Sequence, residues 1–102
     1  MIGGNRTNER VDRRLPVELL LSTGPAAAET RNVSVGGMFL VTDARVAFAA
    51  MIKIRFRLPA LSSETEANVV VRWKQVDGIG VQFVDLRAIE VWGLHQLLRS
   101  RP

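Results

Sequence analysis

The sequence predicts a small, mainly β protein: a six-stranded antiparallel β-barrel with a C-terminal α-helix. Three observations point that way. Ile52 to Leu58 (IKIRFRL) alternates Ile52, Ile54, Phe56 and Leu58 with Lys53, Arg55 and Arg57, the period of two of a strand with one dry and one wet face. Turn-forming residues break the apolar runs at Thr23-Gly24-Pro25 and at Asp77-Gly78, as hairpins require. After Asp85 the pattern changes, and LRAIEVWGLHQLLRS reads as a helix. Closing such strands into a barrel removes exposed edges, and the helix can then cover an open end or pack on one side.

The elements follow in order. Residues 1–9 (MIGGNRTNE) are polar and glycine-bearing, which predicts a mobile leader ahead of a single domain over 10–102. Pro16 to Ser22 is the first strand, Ala26 to Val33 its hairpin partner and Gly37 to Thr42 the third. Ile52 to Leu58 is the fourth, ended by Pro59 and the polar loop LSSETE. In the fifth, ANVVVRWKQV, the side chains of Val69, Val71 and Trp73 fall on one buried face. Asp77-Gly78 turns the chain into IGVQFV, where Ile79, Val81 and Phe83 alternate with Gly80, Gln82 and Val84. Asp85 has the chemistry of an N-cap for a helix starting at Leu86. Leu86, Ile89, Leu94 and Leu97 share one side of that helix and Trp92 lies off it. Gly93 weakens it, while Arg99 and Arg101 suit its C-terminal end.

Composition excludes several classes of function. The chain has 102 residues, no cysteine and one histidine. That leaves no disulfide, no thiolate metal site and no Ser-His-Asp set to assemble with assurance. No phosphate loop of the GxxxxGK type is present. The expectation is therefore a protein that is not an enzyme and has neither metal nor cofactor. No apolar run approaches the roughly 18 residues of a membrane span, and the first residues do not resemble a signal peptide. The expected compartment is the cytoplasm. Net charge is +4, and all but Lys53 and Lys74 of the fourteen basic residues are arginine. Arginine's flat, forked, permanent cation suits phosphates and aromatic rings, although a GC-rich genome produces the same bias.

Two motifs stand out against this background. Arg10 and Arg14, in RVDRR, form an RxxxR pair just before the first strand. Arg6 and Arg10 form another, and chance alone supplies about one such pair in so arginine-rich a chain. Asn32-Val33-Ser34-Val35-Gly36-Gly37 fits [D/N]xSxxG and begins eighteen positions after Arg14. By itself NVSVGG is compatible with a tight turn and a bulge.

Together the motifs resemble the PilZ family of bacterial cyclic di-GMP receptors. The resemblance runs through RRLPVELLL, NVSVGG, GIGVQFVDL and the closing helix. It implies a six-stranded barrel with a C-terminal helix, in agreement with the strand count. It also implies that Arg10 and Arg14 grip phosphates and stack on guanine, with Arg13 contributing. Asn32 and Ser34 would hydrogen-bond a guanine edge and a nearby phosphate. Gly37, helped by Gly36, would leave room for close backbone approach and permit positive φ. Asp is the commoner family choice at position 32. Asn has one acceptor oxygen where a carboxylate accepts both N–H donors of guanine, so weaker binding is expected.

The implied activity is that of a receptor or adaptor whose N-terminal arginine segment orders on the ligand and alters contacts with an effector protein. One or two ligand molecules per site, and a monomer or weak homodimer, are compatible with the sequence. A nucleotide-independent interaction module is the alternative, marked in sequence by loss of the motif residues. A third reading places single-stranded nucleic acid on the basic face of Lys53, Arg55 and Arg57, with Arg72 and Lys74. The absence of tyrosine, and the inward phase expected for Phe56 and Trp73, argue against it.

Overall fold

The computed structural model describes residues 10–99. The predicted leader and the last three residues, Arg101 among them, lie outside the described residues. The chain forms β1 (Pro16–Leu21), β2 (Gly24–Val33), β3 (Gly37–Val41), β4 (Met51–Phe56), β5 (Thr65–Gln75), β6 (Gly78–Asp85) and α1 (Ala88–Arg99). All strand pairs are antiparallel. Their order, β1-β2-β3-β6-β5-β4, returns to β1 as a closed barrel. This is the architecture the alternating pattern predicts.

Inward positions fill the barrel. Leu19, Val33, Met38, Leu40, Ile54, Val69, Val71 and Val81 are fully buried, and Leu94 and Leu97 of α1 join the same core. Each such side chain contributes about 1.5–3 kcal/mol on burial. Alternation in β4 is as predicted, with Ile54 and Phe56 inside and Lys53 outside. Antiparallel connection puts the β2–β3 turn, the β4–β5 loop and the start of α1 at one end of the barrel. The three remaining connections lie at the other end.

Two hairpins turn one residue earlier than the sequence suggests. Leu21 pairs with Gly24, so the first loop is Ser22-Thr23, and Gly24, with φ +119°, opens β2. Pro25 is tolerated inside β2 because β3 begins to pair only at Glu29, which leaves that flank of Pro25 without a strand. Likewise Gln75 pairs with Gly78, and the loop is Val76-Asp77. Gly78 is already strand. A Cβ there would stand 2.1 Å from the Leu40 carbonyl oxygen, so close strand approach selects the glycine.

The helix also starts later than expected. Asp85 ends β6 and accepts a hydrogen bond from Asn68 Nδ2 at 3.4 Å. The cap is built from Glu90 instead. Its Oε1 accepts the Arg87 backbone N–H at 2.9 Å, and its Oε2 accepts from the Arg87 guanidinium at 2.9 Å. This is the back half of a capping box, with Arg87 at the N-cap. Gly93 faces the side chains of Leu58 and Leu61, where a Cβ would stand 3.1–3.3 Å away. The helix seats there on the chain leaving β4. Leu94 and Leu97 point inward as expected, whereas Ile89 is half exposed beside Trp92.

Candidate functional site

Residues 10–15 run extended along β2 and are held by backbone hydrogen bonds. Val11 and Val33 exchange two at 2.9 Å, and Thr30 N–H donates to the Leu15 carbonyl at 2.9 Å. The buried Thr30 hydroxyl completes the clamp. It accepts from Leu15 N–H at 2.7 Å and donates to the Arg13 carbonyl at 2.5 Å. Val11, Arg13 and Leu15 are half-buried, while Arg10, Asp12 and Arg14 are exposed. Arg10 and Arg14 therefore share the outer side of this segment.

The segment places Arg10 over the end of β2. Its Nη1 donates to Asn32 Oδ1 at 2.7 Å. Asn32 owes its outward aim to a bulge, because the β2–β3 register shifts between Thr30 and Asn32 and the extra residue re-phases the strand. Arg31, at the shift, lies with its guanidinium carbon 4.8 Å from the centre of the Phe39 ring and pairs with Asp77. The hydrogen bond from Arg31 holds the Asp77 carboxyl below the usual carboxylate range.

Ser34 to Gly37 forms a turn fastened from within. Ser34 Oγ accepts from the backbone N–H groups of Gly36 and Gly37, each at 3.1 Å, and donates to the Gly37 carbonyl at 3.2 Å. Ser34 N–H donates to the same carbonyl at 2.8 Å. Ser34 is buried, so its hydroxyl shapes the backbone here. Gly36 ties the turn to β6, its carbonyl accepting from Phe83 N–H at 2.8 Å. Gly37 does not have the positive φ expected of it; among the described glycines only Gly24 does. What requires Gly37 is β6, since a Cβ would stand 2.1 Å from the Val81 carbonyl oxygen.

A second bulge supplies what the sequence reading missed. Val71 pairs with Val81, but the next pair is Trp73 with Gly80. The slip reverses the phase of β5, so Trp73 leaves the core face and both Arg72 and Trp73 line the outer pocket. The inward placement of Trp73 is thus corrected. Pairing then runs Asn32, Phe39, Gly80, Trp73 across β2, β3, β6 and β5. Gly80 is the gap in which the indole lies: a Cβ there would be 1.9 Å from Trp73 Cε2. The Arg10 guanidinium carbon sits 5.0 Å from the Trp73 ring centre, within cation–π range. A tryptophan two residues past an inward valine, opposite a glycine in a Gly-x-Gly strand, is the signal that marks this bulge.

The result is an open pocket of about 250 Å³, lined by Arg10, Ser34, Gly36, Gly37, Arg72, Trp73, Val81 and Gln82. Its volume is that of a shallow platform. Among the described residues no carboxylate lines it, and its two guanidinium groups are held by neutral amides, Arg10 by Asn32 and Arg72 by Gln82 at 2.6 Å. Arg55 and Arg87, by contrast, are held by carboxylates. Arg55 is flanked by Glu18 at 2.8 Å, Glu66 at 3.0 Å and Glu64 at 4.0 Å, and Arg87 by Glu90. The Arg55 and Arg87 pKa values are raised, chiefly by the hydrogen bonds to Glu66 and Glu90. The three carboxylates around Arg55 neutralise the middle of the Lys53-Arg55-Arg57 face and weaken it as a polyanion surface.

The PilZ domain model, compared by sequence, matches residues 4–100. The chain belongs to the PilZ domain family. No curated protein sequence matches it significantly. Among solved structures it is similar to the PilZ domain of CeSA from a cellulose-synthesizing bacterium, at TM-score 0.67 and 16% identity over 88% of this chain and 94% of that one. It is similar to the Bacillus subtilis inhibitor of motility MotI/DgrA, at TM-score 0.74 and 20% identity, covering 91% of this chain and 48% of that one. It is also similar to Escherichia coli YcgR solved in complex with c-di-GMP, at TM-score 0.70 and 11% identity, covering 90% and 43%. This PilZ domain thus spans less than half the length of the last two.

Of the predicted site residues, Arg10, Asn32, Ser34, Gly36 and Gly37 come together at the pocket. Arg13 and Arg14 do not line it. Arg13 Nη1 donates to the Asp12 carbonyl at 2.8 Å, and Arg14 points outward. Among the described residues no cluster of metal-binding side chains occurs, and no helix is long and apolar enough to cross a membrane.

Proposed function

We propose that this PilZ domain is a receptor for cyclic di-GMP: a binding adaptor without catalysis of its own that acts on an effector protein in the cytoplasm. One observation carries the reading. Two motifs eighteen residues apart meet where Arg10 hydrogen-bonds Asn32 above the Ser34–Gly37 turn, beside the Trp73 indole and in a pocket that no carboxylate of the described residues lines. Such a surface complements a flat, dianionic, guanine-bearing ligand. The Trp73 indole supplies stacking, at about 1–3 kcal/mol per base. The guanidinium groups supply charge-assisted donors for phosphate. Asn32 supplies an acceptor for a guanine N–H.

Binding then works by exchange. Asn32 Oδ1 is already engaged by Arg10, so the ligand takes that acceptor and Arg10 turns to the ligand. Arg14 swings in from its outward position. Backbone bonds at Val11 and Leu15 already anchor the segment, so ligand-induced ordering of residues 5–14 falls on its side chains and on residues 5–9, which lie outside the described residues. The rearranged leader is the surface an effector reads.

Calorimetric titration with cyclic di-GMP, with GTP and cyclic di-AMP as controls, tests this. The expected outcome is saturable, selective binding near micromolar, about −8 kcal/mol, with one or two ligands per chain. No heat at high micromolar ligand refutes the receptor reading. Unchanged binding by Arg14→Ala refutes the assignment of that residue.

A further inference from the structure

Arg72 is the guanidinium at the pocket that neither motif contains. It sits at the β5 bulge, so it lines the pocket together with its neighbour Trp73. Its Nε–H donates to Gln82 Oε1 at 2.6 Å. Gln82 projects from β6 opposite Gly37 and Val70, which fixes its side chain on the same outer face. With Nε engaged, the free part of the guanidinium is the Nη1/Nη2 fork. Among the described residues neither Nη group makes a hydrogen bond or ion pair. A pair of donors in one plane is thus held beside an aromatic ring by a neutral partner that leaves its charge uncancelled.

We infer that Arg72 is a specificity-determining residue of the site: its Nη fork reads the O6/N7 edge of a guanine lying against Trp73, and Gln82 positions the fork. This rests on the cyclic di-GMP reading of the pocket. The stacking surface decides which part of the ligand Arg72 meets. A base lying on an indole presents its edge, not its phosphate, to side chains flanking the ring. Guanine offers two acceptors there, N7 and O6, which match a fork of two donors. Adenine offers N7 and a donor amine, so one arm of the fork meets another donor. In the structure the Arg10 guanidinium covers the ring at 5.0 Å while bonded to Asn32, so the base takes its place on the indole as Arg10 turns to the ligand. The base is then bracketed by arginines in different roles. Lysine presents a point charge without the planar fork, and it lacks the Nε–H by which Gln82 holds the group in place.

The test titrates cyclic di-GMP and its 7-deaza analogue, in which N7 becomes C–H, into wild type, Arg72→Ala and Arg72→Lys, and follows thermal unfolding of each. Wild type should bind the analogue about tenfold more weakly. Arg72→Ala should lose roughly ten- to a hundredfold for cyclic di-GMP and bind the two ligands alike, with its melting temperature unchanged because the side chain is exposed. Arg72→Lys should not restore the preference. Wild-type affinity in Arg72→Ala overturns the inference and leaves the receptor reading standing. So does a weakened Arg72→Ala that still prefers the natural ligand, which would put the fork on phosphate. If wild type binds neither ligand, the receptor reading falls as well.

Discussion

Gly37 and Gly80 make a matched pair of perturbations. A Cβ at either meets an atom at about 2 Å: the Val81 carbonyl oxygen at 2.1 Å for Gly37, and Trp73 Cε2, Cζ2 and Cδ2 at 1.9, 2.2 and 2.3 Å for Gly80. The consequences differ because one neighbour is backbone and the other a half-buried side chain. Carbon atoms rest about 3.5–4.0 Å apart, so in Gly80→Ala the indole must retreat by about 1.5–2 Å or swing outward. It forfeits roughly half of a large side chain's burial, about 1 kcal/mol. Replacing the flexible glycine returns about 0.4–1 kcal/mol through the unfolded state. The net cost is about 0–1 kcal/mol, a fall in Tm of at most about 8 °C. In Gly37→Ala no side chain can yield, and β3 must part from β6 at Gln82. That loses ladder bonds and the packing of Met38 and Leu40, at least about 3 kcal/mol. The assay is thermal unfolding with tryptophan emission in a Trp92→Phe background, where Trp73 is the sole tryptophan. Gly80→Ala should melt near wild type with red-shifted emission and weakened cyclic di-GMP binding, while Gly37→Ala should barely fold. Equal melting of the two variants, or unshifted emission in Gly80→Ala, refutes the account of the β5 bulge and the platform.

Arg10→Ala should lower cyclic di-GMP affinity about ten- to a hundredfold without moving the melting temperature, read by calorimetry and unfolding on one preparation. Asn32→Asp should tighten binding several-fold, because a carboxylate accepts both guanine N–H donors; weaker binding in a titration would mean that Arg10 holds the new carboxylate too firmly to release it. Asp77 is held below its ordinary pKa by Arg31. Its stabilisation is therefore complete above the unfolded value near 4 and disappears as pH falls through the lower folded value. The melting-temperature gap between wild type and Asp77→Asn should be constant from about pH 7 to 5 and close on further acidification. Glu90→Ala removes the cap and orphans Arg87 N–H, and should cost about 0.5–2 kcal/mol in chemical denaturation; Glu90→Gln should retain most of it.

The barrel was legible because alternation and core face coincide in β1, β3 and β4, where Leu19, Met38, Leu40, Ile54 and Phe56 point where a period of two sends them. The motif half of the site was legible too, since Arg10, Asn32 and the Ser34–Gly37 turn carry spacings that survive in three dimensions. What escaped was the end of β5, past the register shift between Val71 and Trp73. An inserted residue there reverses the later phase, and the glycine that marks it, Gly80 opposite Trp73, lies on another strand, so the sequence puts Trp73 in the core and Arg72 on the basic face with Lys53, Arg55 and Arg57. The helix start escaped for a different reason. Asp85 and Glu90 both have cap chemistry, and the choice lay in which of them the strand needed, with Asn68 engaging Asp85. The β5–β6 loop slipped by one because Gly78 was chosen by the nearby Leu40 carbonyl and not by turn geometry.

The interior bonding of Ser34 changes what its motif reports. The serine and the last glycine of NVSVGG are satisfied by the chain's own backbone, one by hydrogen bonds and the other by the proximity of β6. Asn32 and Arg10 are engaged instead with each other, and Arg10 with the Trp73 ring. Within one short signature, then, some letters are under selection for folding and others for recognition. A descendant that abandoned nucleotide would shed its arginines and Asn32 first and keep Ser34 and Gly37 long afterwards. Retention of the serine–glycine half is evidence of ancestry; retention of the arginine–asparagine half is evidence of use.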